Sequence, residues 1–86
     1  MNVTLKLPDY SPETGVPVQW EGNFDVSTSG TADCFIIKAN KDGLISLAIQ
    51  LLTLAQDNVP IGCHIHYDQF NSLEDDSIDL IVQKAD

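Results

Sequence analysis

The stretch Asn40–Asp68, NKDGLISLAIQLLTLAQDNVPIGCHIHYD, decides the fold of this 86-residue chain. Its first part has helical rhythm. Leu44, Leu47, Ala48, Leu51, Leu52 and Ala55 recur at three- and four-residue steps and fall on one side at 100° per residue. Ile45, Ile49 and Leu54 widen that side beyond a normal core stripe, leaving Ser46, Gln50, Thr53 and Asp57 as a narrow polar line. Asn40 suits the N-cap and Asp42 suits the positive end of the helix dipole. Asn58 and Pro60 supply a stop, so the spacing predicts a helix over Lys41–Asp57, roughly 25 Å long. Its excess apolar width calls for either a loop folded over it or a subunit interface.

The second part alternates. In Gly62–Asp68, Cys63, Ile65 and Tyr67 point one way and His64, His66 and Asp68 the other. Two imidazoles on one strand face can aim at a metal, with Asp68 adding an oxygen. They can also serve as a base oriented by Asp68, which requires a pocket. A polar sheet face that pairs with its neighbours or contacts a partner has the same pattern. If the helix covers the Ile65/Tyr67 face, the histidines lie on the open one, near the acidic Glu74–Asp79 segment.

Outward from this stretch the chain reads as short strands. Asn2–Lys6 alternates, and Val16, Val18 and Trp20 share a face, with Pro17 indicating an edge position. Pro8–Gly15 is loop by composition. Phe24–Val26 begins a third strand, and Ser27–Thr31 reads as a turn. Ala32–Ala39 is apolar on both faces, which predicts a central strand. Ile78–Lys84 closes the chain. The order β-β-β-β-α-β-β predicts a single α+β domain over residues 1–86. Its sheet is mostly antiparallel, of about five to six strands, with one long helix on one face.

Composition narrows the function. Thirteen acids face four lysines and no arginine, a net charge of −9. Without arginine the forked donors that grip phosphate are missing, which argues against nucleic acid and acidic membranes as partners. The negative field favours a basic partner. Met1–Tyr10 lacks the apolar core of a secretory signal and no segment has the length of a membrane span, so the expected location is the cytoplasm. There Cys34 and Cys63 are expected as buried, reduced thiols.

Three features together resemble a known family: the helix running from Gly43-Leu44 to Leu52, the strand Gly62-Cys63-His64-Ile65-His66 after Val59-Pro60-Ile61, and the closing segment from Leu73-Glu74 to Val82. The last half of the chain is similar to immunity protein family 32 of bacterial polymorphic toxin systems. That resemblance implies a protein that binds a co-encoded toxin domain, often a basic nuclease, and blocks it stoichiometrically without chemistry or cofactor. The expected partner-binding residues are then His64, His66, Asp68, Glu74, Asp75, Asp76 and Asp79. Two alternatives stay open: a small metal-dependent enzyme built on His64, His66 and Asp68, and a homodimeric module joined through the helix face Gly43–Gln56.

Overall fold

The computed structural model describes residues 2–86; Met1 alone lies outside them. It is α+β, with strands β1 (Val26–Gly30) and β2 (Phe35–Ala39), helix α1 (Lys41–Leu54), and strands β3 (His64–Tyr67) and β4 (Leu80–Gln83). The expected single sheet of five to six strands is corrected to four strands in two antiparallel pairs, β1–β2 and β3–β4. Asn2–Lys6 and Val16–Trp20 form no strands; residues 2–25 hold, as β structure, only an isolated bridge between Ser11 and Gly15. Residues 27–30, read as a turn, continue β1 instead.

The two hairpins are stitched by the segment between Leu73 and β4. Glu74 N donates to Val26 O (2.9 Å), Ile78 N to Thr28 O (3.3 Å) and Thr28 N to Ser77 Oγ (3.1 Å). The Thr28 hydroxyl closes onto the Ile78 carbonyl. This segment occupies the inner edge of β1 and leaves β2 outermost. That explains why β2, expected at the centre of a sheet, is an edge strand with Phe35, Ile36 and Ile37 about half exposed.

Asn40 caps α1 as its sequence implies: its side-chain oxygen accepts from Gly43 N at 2.8 Å. The same oxygen accepts from Asp25 N, and the amide nitrogen donates to Asn23 O. The cap therefore also ties the helix start to the chain entering β1. Gly43 permits the closeness. A Cβ there would lie 2.7 Å from the Asp25 carbonyl oxygen and 2.9 Å from Val26 Cγ2. The helix ends at Leu54, three residues short of the expected Asp57. Lys84 is one physical reason, since its ammonium donates to the Gln56 and Val59 carbonyls (2.7 and 2.9 Å) and satisfies the chain end in a non-helical path.

The inner side of α1 carries a polar stripe beside the buried Ile49 and Leu54. Ser46, Gln50 and Thr53 are fully buried, while Leu44, Leu51 and Leu52 stand about half exposed. The expected wet line thus faces inward. The cause is the strandless N-terminal segment, which lies across this stripe and takes its hydrogen bonds from helix side chains. Asn23 N donates to Asp42 Oδ2 (3.0 Å) and Glu21 N to Ser46 Oγ (2.8 Å). Gln50 and Gln56 donate to the Gln19 and Pro8 carbonyls (2.9 and 3.2 Å). A loop does fold over the helix, but over its polar stripe; Ile49 and Leu54 are buried, and Leu44, Leu51 and Leu52 stay open. Beneath this zipper, Val26, Ile65, Tyr67 and Leu73 form the core, with Trp20, Phe24 and Leu47 packed against it.

Candidate functional site: the histidine strand and its acidic loop

β3 is aimed by its first turn. Gly62 has φ +94°; its N–H donates to Lys84 O while Lys84 N–H donates to Cys63 O, a bulge led by glycine in the left-handed region. The bulge sets the parity of the strand. Ile65 and Tyr67 go into the core at 4% and 1% exposure, and His64 and His66 face outward. Tyr67 is the anchor. Its hydroxyl donates to Gln50 Oε1 at 2.7 Å, and Trp20 meets its ring edge-on with centroids 6.1 Å apart. Burial pushes the Tyr67 phenol up to about 12.

The expected site residues divide into three. His66 and Asp79 come together: His66 Nε2 lies 3.0 Å from Asp79 Oδ2 across the β3–β4 pair, with both side chains well exposed. Asp68 turns back on its own loop. Its Oδ1 accepts from Phe70 N and Asn71 N (3.0 Å each), and its carbonyl accepts from Ser72 N and Leu73 N. It shapes the loop and is not gathered with the histidines. His64, Glu74, Asp75 and Asp76 are exposed, and Asp76 has φ +66°. Among the described residues no three His, Cys, Asp or Glu side chains gather in metal-binding geometry. Cys34 is exposed and Cys63 half-buried, so the expectation of two buried thiols is corrected.

A shallow cleft of about 290 Å³ runs beside β3, lined by Val18, Trp20, His64, His66, Asn71 and Ser72. The ladder bonds of Cys63, Ile65 and Tyr67 point to β4, so the main-chain groups of His64 and His66 face this cleft. Asn71 Nδ2 donates to His66 O (3.2 Å). One residue of the region was passed over in the sequence. Phe70, 91% exposed at the tip of the Asp68–Ser72 turn, is the most exposed large apolar side chain described. The one signal in the sequence was an aromatic flanked by polar Asp68, Gln69, Asn71 and Ser72, which does not by itself give its exposure.

This face is open and acidic and is tipped by one exposed aromatic, Phe70. The model of the family described as immunity protein 32 (Imm32) matches residues 35–85. That is more than half of the chain, and it spans β2, α1, β3 and β4; the chain belongs to this immunity protein family. No curated protein and no solved structure matches it. No helix among the described residues is long and apolar enough to cross a membrane.

Proposed function

We propose that the protein neutralises a cognate bacterial toxin domain by stoichiometric, non-catalytic binding in the cytoplasm, and that the histidine strand and its acidic loop make the contact. Membership of the immunity protein family carries this reading. The charge of −9 without a single arginine supports a basic target such as a nuclease, which an acidic surface attracts and orients. Glu74, Asp75, Asp76 and Asp79 supply that field beside His64 and His66. Phe70 supplies the apolar anchor, since a few aromatic residues carry most of the energy of a typical interface. Asp68 acts indirectly, by holding the loop that presents Phe70.

The test is capture from the bacterium that encodes the chain. A tagged copy should retain a larger protein with a basic toxin domain in near-equal amount. Recovery of the chain alone from cells that express the toxin would reject the reading. With the partner in hand, Phe70→Ala should weaken binding more than about tenfold while leaving the melting temperature unchanged. Reversal of Glu74, Asp75 and Asp76 to lysine should slow association by about tenfold at low salt, with the difference shrinking as salt rises. An unchanged rate would remove these acids from the contact.

A further inference from the structure

β2 is a short edge strand whose main protection is Lys38. Thr31 N donates to Cys34 O and Asn40 N to Asp25 O, and Ile36 and Lys38 are in register with Ser29 and Ser27. This parity directs the main chain of Cys34, Ile36, Lys38 and Asn40 to β1. It leaves the N–H and C=O groups of Phe35, Ile37 and Ala39 facing outward. Among the described residues no other segment's backbone reaches them. The one side-chain contact is a long one, 3.9 Å from the Cys34 thiol to Phe35 O. Natural edge strands are blunted by short length, charged side chains, proline or bulges. Here Phe35, Ile36 and Ile37 are 45–47% exposed, and Lys38 is the single charge on the strand.

We infer that β2 is a self-association edge, which adds to β2 of a second copy in antiparallel fashion about a two-fold axis at Ile37. In that register Ile37 faces Ile37 of the second copy, Phe35 faces Ala39, and Ile36 faces Lys38. Each outward residue then exchanges main-chain hydrogen bonds, and β1–β2 becomes half of a four-stranded sheet. Large lies opposite small in the Phe35–Ala39 pairs, and no like charges stand directly opposite.

Charge selects a second copy as the occupant. From Cys34 to Gln56 the charged residues are Lys38, Lys41 and Asp42, a net of +1 in a chain of −9. Two copies that meet along β2 do not bring acid against acid. Antiparallel addition also brings the basic end of one strand, Lys38 and Lys41, toward the turn of the other that holds Asp33. A five-residue edge is a small interface, so the dimer is weak, with half-association on the order of 10–100 μM. The inference does not rest on toxin binding, since the acidic loop lies on the opposite side of β1 from β2.

Sedimentation velocity on the full chain from 5 to 500 μM (on the order of that half-association range) tests it. The expected result is a reversible monomer–dimer shift. Ile36→Lys changes a half-exposed side chain and sets it opposite Lys38 of the second copy, so it should weaken the dimer by more than about tenfold. Ile37→Pro removes an outward N–H that the monomer does not use and should do the same. Leu52→Lys, on the open face of α1, should leave the dimer unchanged. A wild-type chain that stays monomeric throughout overturns the inference. So does a dimer that survives Ile36→Lys, or one that is lost in Leu52→Lys.

Discussion

The two sides of α1 depart from the ordinary expectation: a polar stripe is buried beside Ile49 and Leu54, and several leucines stand outside. The inner side holds Gly43, Ser46, Gln50 and Thr53 together with apolar Ile49 and Leu54; the outer side holds Leu44, Ala48, Leu51, Leu52 and Ala55. On most surface helices the apolar stripe is buried and the polar one is wet. Here the inner neighbour is a segment without secondary structure, whose main-chain groups need partners that no strand provides. Buried polar groups are costly only when unpaired, and every buried side-chain nitrogen and oxygen described has a partner. The lesson is that burial follows what the facing element needs. The apolar outer side is left to intermolecular contact or to water.

The comparison can be broken most directly at Gln50. Its amide joins Gln19 O to the Tyr67 hydroxyl, so Gln50→Ala leaves the buried Tyr67 hydroxyl without its partner, removes the tie to Gln19 O and opens a void. The expected loss is about 3 kcal/mol, measured by urea denaturation. A loss below about 1 kcal/mol would mean that the polar stripe is wet after all. Gly43→Ala comes next. Alanine is normally the better helix residue, yet its Cβ would press on the Asp25 carbonyl and Val26, so a loss of about 2 kcal/mol is expected. A gain in stability would show that the helix start stands free of β1.

Tyr67→Phe sharpens the same contrast through pH. Burial raises the Tyr67 phenol to about 12, while in the unfolded chain it ionises near 10. The folded state therefore keeps its proton longer than the unfolded state. Its contribution is complete below pH 10 and is lost as pH rises toward 12. Tyr67→Phe should cost about 1 kcal/mol at neutral pH and should flatten the decline of stability above pH 10, as followed by thermal melts. The smallest effect belongs to the outer side. Leu52→Ser should change stability by less than about 1 kcal/mol, because the side chain is already half in water.

The helix itself was legible, because Asn40 and the apolar repeat act within a few residues of each other. The face of β3 was legible too: strict alternation of Ile65 and Tyr67 with His64 and His66 leaves one way to bury the apolar pair. The meeting of His66 with Asp79 was visible only as nearness, since β4 sets the register that joins them. Strands at 2–6 and 16–20 were misread. At 16–20 the Gln19 carbonyl accepts from Gln50, while the flanking Glu21 N–H and Pro8 carbonyl go to Ser46 and Gln56, and no sheet results. Phe70 and the turn built by Asp68 were hidden, because exposure of a lone aromatic depends on where the loop projects.

By itself the sequence determined the class of elements, the helix start at Asn40, the outward histidines, the strongly acidic charge and the kinship with immunity proteins. These rest on local spacing and composition, which do not depend on distant partners. Only the tertiary structure decided which side of α1 is buried, that β2 lies at an edge, and that the strands form two pairs. Those outcomes depend on which segment reaches a free backbone edge or a polar stripe first. The Glu74–Ile78 segment takes the edge of β1, and the N-terminal segment takes the stripe of α1.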